Sequence, residues 1–395
     1  MNTTPESKTN SEPKQLVYPE RYPVIDSELW TAKQRQMCSL HEISYRACFK
    51  AELPEFFISR FSKEGDVVYD PFAGRGTTAI QAALMGRRFL ANDINPLMRV
   101  LAEARTQPPT LDAIQRRLDE IQLGGEEGTE ESGHELEVFF STQTLREIRS
   151  LRAYLLEKRV QGTEDAVDQW IRMVATNRLT GHSKGFFSVY TLPPNQAVSI
   201  ERQKKINTKY ANDLNEYRDV MSIILKKSKS LLKEIPYPWP GVGGQFINQD
   251  AADTYLIPNS SVQLIVTSPP FLDQVQYHQD NWLRCWFNHI DTNQVASRMT
   301  QFRSLDQWVL AMEKVFLEFH RILIPGGYGA FEVGEVRKGK IQLDDYVFPI
   351  IEKTRLEPIA TYINRQQFTK TANIWGVTNN TGGTNTNRVI LFKKQ

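Results

Sequence analysis

The sequence predicts an α/β fold: an open, mostly parallel sheet with helices on both faces, interrupted by a long helical insert. Three observations predict it. Short apolar runs alternate with segments of helical periodicity at both ends of the 395-residue chain. The first two runs end in acids, Asp70 and Asp93, each followed by a turn and a helix, which is the opening of a parallel sheet. Between residue 105 and about 240 the strand rhythm stops and helical spacing takes over.

Residues 1–17, opening MNTTPESKTNSEPKQ, have no apolar core and are expected to form a disordered tail rather than a signal peptide. Residues 18–104 form the first part of the core. LPEFFISRF, from Leu53, reads as a helix started at its proline, and GDVVYD as a buried strand ending at Asp70. The turn PFAGRG leads into the helix TTAIQAALMG, which Thr77 or Thr78 can cap and Gly86 stops. RRFLAND is the second strand, and NPLMRVLAEAR begins the next helix. Residues 105–240 are the insert. Leu145, Ile148, Leu151 and Leu155 fall at helical spacing, as do Val167, Trp170, Ile171 and Val174, and Leu214, Tyr217, Val220, Met221 and Ile224. GGEEGTEESGHELE, from Gly124, is an acidic loop, and PYPWPGVGG marks the boundary. Residues 241–395 complete the core. QFIN and SVQLIVT are strands, a helix from about Leu305 to Leu323 is stopped by PGG, and YGAFEV follows. EPIATYI and RVILFKK form a closing pair.

Composition excludes several classes. Hydrophobic residues are 40% and charged residues 24%, ordinary for a water-soluble domain, and the formal net charge of +2 places any nucleic-acid footprint in local patches. The three cysteines, Cys38, Cys48 and Cys285, form no C-x-x-C pair, so neither a zinc site nor a disulfide framework is expected. A reducing cytoplasm suits them, and Cys48 and Cys285 are expected in the core. No apolar run approaches the roughly 18 residues of a membrane span.

Two stretches carry the chemistry. In DPFAGRGTT, Gly74 and Gly76 allow a sharp turn and close approach of a ligand between a strand and a helix N-terminus, the geometry of a cofactor cradle. It lacks the Lys-Ser/Thr ending of a phosphate-binding P-loop. Asp93, about twenty residues on, can bond a ribose diol, and Asp250, after the third strand, stands where an adenine would lie. The second stretch is TSPPF, residues 267–271. Consecutive prolines lack N–H groups and fix φ, so the strand ends in a stiff tip carrying a serine and an aromatic.

Together these motifs resemble the DNA amino-methyltransferases, which carry Phe-x-Gly-x-Gly in motif I and Asp/Asn/Ser-Pro-Pro-Tyr/Phe/Trp in motif IV. SYRACFKAELPEFFI resembles their motif X, and FHRILIPGGYGAFEVGEV their late core strand and its helix. The resemblance implies a class I S-adenosylmethionine-dependent methyltransferase fold, Rossmann-like with a mostly parallel seven-stranded sheet. It implies S-adenosyl-L-methionine as cofactor, held by Asp70, Pro71, Phe72, Gly74, Gly76, Thr77, Asp93, Asp250 and Phe49. The catalytic tip would be Ser268, Pro269, Pro270 and Phe271.

An exocyclic base amine is a poor nucleophile because its lone pair is delocalised into the ring. Ser268 Oγ and the Pro269 carbonyl are the natural acceptors to draw its N–H groups out of plane, with Phe271 stacked on a flipped base. Methylation at cytosine carbon 5 would need a Pro-Cys nucleophile, and the residues before the cysteines are Met37, Ala47 and Arg284. In the family Ser-Pro-Pro mostly accompanies cytosine N4 and Asp-Pro-Pro mostly adenine N6. The resemblance therefore implies cytosine N4, with adenine N6 the alternative. An RNA guanine-N2 methyltransferase and a non-catalytic DNA-binding protein with a degenerate core are further rivals. The short N-terminus argues against the first, and the complete motifs against the second.

In the insert, GHSKGFFSVYTLPPNQAVSIERQKKINTKY interleaves Lys184, Arg202, Lys204, Lys205 and Lys209 with Phe186, Phe187 and Tyr190, a pattern suited to a nucleic-acid surface. Tyr277 could wall the base pocket, whereas Trp282 and Trp286, four apart, suit core packing. His278 reads as a solvated side chain. The implied partner is double-stranded DNA, with a restriction endonuclease acting on the same site and no stable complex. A monomer with no metal and no membrane contact is expected.

Overall fold

A computed structural model describes residues 22–26, 37–45, 48–124, 135–192, 196–236, 239–270, 272, 277–299, 302, 304–336, 341–365 and 386–395. The expected tail and most of the acidic stretch after Gly124 lie outside these residues. The strands are β1 (Val24–Asp26), β2 (Val67–Asp70), β3 (Arg88–Asn92), β4 (Gln245–Ile247), β5 (Val262–Thr267), β6 (Leu323–Val333), β7 (Glu335–Val336), β8 (Ile341–Gln342), β9 (Leu356–Arg365) and β10 (Thr386–Lys394). The helices are α1 (Glu52–Phe61), α2 (Thr77–Leu84), α3 (Leu97–Thr106), α4 (Leu111–Glu120), α5 (Thr142–Val160), α6 (Ala166–Arg178), α7 (Ile200–Tyr210), α8 (Val220–Leu231), α9 (Tyr277–Asp280), α10 (Trp282–Phe287), α11 (Thr292–Arg298), α12 (Leu305–Ile322) and α13 (Asp344–Lys353).

One sheet runs β1-β9-β10-β6-β5-β2-β3-β4, and β7 and β8 form a small hairpin. All its pairs are parallel except those of β10, which is antiparallel to both β6 and β9. Among the described residues the sheet has eight strands where seven were expected. Val24–Asp26 adds an edge strand beside β9, with the Thr361 N–H bonded to the Pro23 carbonyl at 2.9 Å. A three-residue strand inside a mixed segment leaves no periodicity to detect.

Period-two alternation explains the layers. Val68, Leu264, Val266, Ala330, Val389 and Leu391 pack against α1 and α2 on one face. Tyr69, Ile265, Phe331, Ile390 and Phe392 pack under α12 and α13 on the other. Each fully buried Val, Leu, Ile or Phe contributes about 1.5–3 kcal/mol relative to exposure. A third cluster joins α3 to the helices of the insert. Leu97 and Leu101 meet Leu145, Ile148, Trp170, Val174 and Ile224, together with Leu40 and Cys285. The insert is thus packed onto the core rather than held apart from it.

Several local expectations are corrected. Neither Thr77 nor Thr78 caps α2; its N-cap is Gly76 in the left-handed region at φ 80°. Leu214 and Tyr217 are exposed and precede the helix they were assigned to, because Asp219 caps α8 through the Ser222 N–H at 2.8 Å. β6 starts at Leu323, before the Pro-Gly-Gly that was read as a break, and Gly326 at φ 81° accommodates a register shift against β5. Cys285 is buried, as expected, but Cys48 is exposed. Trp282 and Trp286 pack on the insert cluster; the Trp282 Nε1–H donates to the Val198 carbonyl at 3.2 Å, and the Arg152 guanidinium lies 4.9 Å from the Trp286 ring. Among the described residues no helix is long and apolar enough to cross a membrane.

Candidate functional site

The strand order reverses between β2 and β5: from β2 the chain proceeds outward to β3 and β4, and from β5 outward to β6. In an open α/β sheet, ligands bind beyond the carboxyl ends of the strands at such a reversal. The two sequence motifs leave the sheet there, on neighbouring strands. Thr267, the last residue of β5, donates its hydroxyl to Asp70 Oδ1 at 2.6 Å. Thr78 at the start of α2 donates to the Val266 carbonyl at 3.1 Å. The glycine turn and the Ser-Pro-Pro tip are therefore one bonded unit.

Asp70 is buried and also accepts the Phe72 N–H at 3.1 Å. Burial pushes its carboxyl up to about 7, against the hydrogen bonds from Thr267 and Phe72. Its role in the arrangement is to brace the turn. Pro71 is buried, and its carbonyl accepts Asn92 Nδ2–H at 3.2 Å. Phe72 is partly buried at the edge of the cluster under α12. Thr77 is buried and its hydroxyl accepts from Arg75 Nε at 3.1 Å, so it holds the loop rather than facing a ligand. Phe49 is packed in the core; only its carbonyl reaches the loop, accepting from Arg75 at 3.3 Å.

Asp93 accepts the Gly74 N–H and the Asn95 N–H, both at 2.9 Å. Burial raises its pKa while those two bonds oppose the rise. With two carboxylate oxygens and about four lone-pair sites, it keeps capacity for a ligand hydroxyl pair. Asp250 is exposed and caps its own turn through the Ala252 N–H at 2.9 Å. Among the described residues no contact draws its side chain into the cluster. The residue that does face inward there is Gln249, whose N–H bonds Asn92 Oδ1 at 2.9 Å.

Ser268 is half-buried, Pro269 buried and Pro270 half-buried. Trp308, wholly buried on α12, donates to the Pro270 carbonyl at 3.0 Å and anchors the tip. Phe271 and the side chains of Tyr277 and His278 lie outside the described residues. The expected nucleic-acid residues are far from uniform. Arg202, Lys204 and Lys205 are exposed on α7, Lys204 pairing with Glu135 at 2.5 Å. Lys184 is exposed and pairs with Glu216 at 2.8 Å. The aromatics between them are not a base-reading set: Phe186 and Phe187 are buried, and Arg178 lies 3.9 Å over the Phe186 ring.

Sequence reading missed Trp308, Gln249 and Asn95, and four more residues that build the site. Asn92, wholly buried, ties β3 to Pro71 and to Gln249. Arg75, in the turn itself, donates to the carbonyls of His41 and Ile43, at 3.2 and 2.9 Å, and so clamps the segment before α1 onto the glycine loop. Arg105 of α3 donates to the Leu40 carbonyl at 3.0 Å and to the carbonyl of Arg75. Glu332, at the end of β6, is buried and bonded by Asn387 and by the Ser268 hydroxyl. Burial pushes the Glu332 carboxyl up to about 7, while those two bonds favour its charged form. A buried acid in GAFEV was the only signal for it. Nothing marked Arg75 or Asn92 beyond their adjacency to the motifs.

The fold is an open, mostly parallel α/β sheet with the two motifs joined at its reversal point. Residues 2–103 match the family model described as DNA methylase, N6_N4_Mtase. A type II methyltransferase of Methanocaldococcus jannaschii, M.MjaII, is 34% identical over 74 residues, 19% of this chain and 14% of that one. The orphan methyltransferase M.BamHII of Bacillus amyloliquefaciens is 42% identical over 62 residues, 15% of this chain and 23% of that one. By these matches the chain is similar to N4/N6 DNA methylases over its N-terminal part; it spans under a quarter of the length of either relative. A solved SAM-dependent methyltransferase of Methanosarcina mazei is 10% identical with a TM-score of 0.34, covering 86% of this chain and 96% of that one. That similarity is too low to bear on the fold, which rests on the strand order.

Proposed function

We propose that this protein transfers a methyl group from S-adenosyl-L-methionine to the exocyclic amine of a flipped base in double-stranded DNA, cytosine N4. The observation that carries the proposal is the Thr267–Asp70 bond, which locks the glycine turn and the Ser-Pro-Pro tip side by side at the sheet's reversal point.

The residues present fit the cofactor. Gly74 and Gly76, at φ 53° and 80°, keep the turn free of side chains. Asn95 Nδ2 and Gln249 Nε2 are buried donors with no partner among the described residues, beside the Asn92 and Asp93 at the end of β3. Such donors are costly unless a bound group accepts from them. Asp93 would take the ribose hydroxyls, and the Asn95 and Gln249 amides other acceptors of the nucleoside. The bound cofactor supplies an electrophilic methyl on sulfonium. Ser268 Oγ and the Pro269 carbonyl would accept the amine's N–H groups, pulling them out of the ring plane and localising the lone pair. The rigid tip, fixed by Trp308, supplies orientation, which is a large share of such rate enhancements.

The exposed cations of α7 would contact phosphates, positioning the duplex rather than reading bases. The serine favours cytosine N4 through the family association, with the site-specific activity of a restriction–modification enzyme.

Purified protein incubated with methyl-tritiated cofactor and unmethylated DNA tests the proposal. Label is expected in DNA with the wild type, and with Ser268→Ala a loss of about 10²-fold or more at unchanged cofactor binding by calorimetry. Full turnover by a folded Ser268→Ala would remove the serine from the mechanism, and failure to bind cofactor would leave a DNA-binding protein on a degenerate core.

A further inference from the structure

Behind Ser268 stands a carboxylate that neither the motifs nor the family matches single out. β5 and β6 are parallel neighbours with Thr267 opposite Phe331, so the next residues along, Ser268 and Glu332, leave the sheet side by side. The Ser268 hydroxyl bonds the Glu332 carboxylate, and Asn387 of β10 donates to the same carboxylate from the other flank. Glu332 is buried, so its route to a substrate runs through Ser268.

We propose that Glu332 is the terminal acceptor of the proton released on methylation, received through the Ser268 hydroxyl. This rests on the methyl-transfer reading of the same site. The balance is as follows. The amine lone pair forms the new N–C bond while the S–C bond breaks with its electron pair left on sulfur, giving a neutral thioether and a cationic nitrogen. That nitrogen then loses one N–H proton to Ser268 Oγ, and the N–H pair returns to nitrogen as its lone pair. Ser268 passes its own proton to Glu332, which becomes neutral and is recharged by solvent after the product leaves. Glu332 touches no substrate; it is a positioning residue for Ser268 and the sink behind it. A base titrating near neutrality suits that task, since it is charged at working pH yet accepts a proton readily.

Among the described residues, the ionisable groups on the elements around β6 leave Glu332 without a close cation of its own. From β10, Arg388 is paired with Asp344 of α13 at 2.8 Å. Asp345 beside it is pushed up to about 6 by burial and by Asp344. On β2, two strands over, Asp70 is bonded to Thr267. α1, which also packs against β6, carries Glu52, Glu55 and Arg60.

The test has two readouts on the full chain. In cofactor-free protein carrying carboxyl-13C glutamate, one resonance absent from Glu332→Gln should titrate near pH 7, and its midpoint should rise in Ser268→Ala, which loses a bond that favours the charged form. In single turnover on DNA, the wild-type rate should rise through the same midpoint. Glu332→Gln should be about 10²-fold slower and flat from pH 6 to 8.5, while Glu332→Asp should restore the pH dependence. A Glu332→Gln enzyme with the wild-type rate and pH limb would overturn the proposal and leave the methyl-transfer reading standing. A wild type that transfers no methyl group to any DNA would overturn both.

Discussion

Gly76→Ala should destabilise the protein far more than an alanine at any other left-handed glycine tested beside it. Gly76 sits at φ 80° as the N-cap of α2, and a Cβ built there would lie 2.4 Å from Ala102 Cβ and 3.3 Å from its Cα. Carbon atoms pack at about 3.5–4.0 Å, so α2 and α3 would have to part by roughly 1 Å. Ala102 is wholly buried and has no flexible end to move aside. The left-handed backbone costs a non-glycine about 1–2 kcal/mol, and overpacking a close-packed interior about 1–3 kcal/mol. Loss of unfolded-state entropy returns about 0.4–1 kcal/mol. The net expectation is a loss of about 2–4 kcal/mol.

Two controls separate the terms. At Gly162, φ 68°, a Cβ meets nothing within 4 Å, so only the backbone cost applies. At Gly74, φ 53°, the nearest atom is Tyr45 Cε1 at 3.6 Å, an ordinary contact, so stability should change as little as at Gly162 while cofactor binding weakens. Urea unfolding followed by far-ultraviolet circular dichroism measures all three. A Gly76→Ala midpoint no lower than that of Gly162→Ala would refute the close packing of the turn against α3.

Thr267→Val removes the hydroxyl that bonds Asp70 and keeps the shape; a bond to a charged group is worth about 1.5–3 kcal/mol, so the loss in urea unfolding should be near that at pH 8.5 and smaller at pH 5.5, where Asp70 is protonated. Asp70 itself is raised from 3.8 to about 7, so the folded state holds its proton more tightly than the unfolded chain. Its contribution is therefore favourable at low pH and is lost as pH rises across that window. Asp70→Asn should make the stability profile of the cofactor-free protein shallower between pH 4 and 8, Glu332 and Asp345 keeping their own share, and raise stability at pH 8 by up to about 4 kcal/mol; an unchanged profile would show that Asp70 titrates normally.

Much of the frame was legible because the signals were local. Val67–Asp70 and Arg88–Asn92 are apolar runs bounded by turn residues, and the glycine turn and the double proline constrain the backbone whatever surrounds them. What was not legible depends on the third dimension. Thr77 resembled a cap in one dimension, but Arg75 occupies its hydroxyl. Phe186 and Phe187 looked exposed beside lysines, yet they are buried in the insert, while Tyr190 is half-buried. Glu332 lies 64 positions from Ser268 in the chain, and only the parallel pairing of β5 and β6 brings them together.

The central claim is that a DNA base amine receives the methyl group. Mass spectrometry of nucleosides from the DNA of a methylation-free host expressing the protein, beside a Ser268→Ala control, tests it most directly. The account predicts N4-methylcytosine only with the intact protein. N6-methyladenine in its place would contradict the base assignment drawn from the serine, and DNA free of both marks would contradict the claim itself.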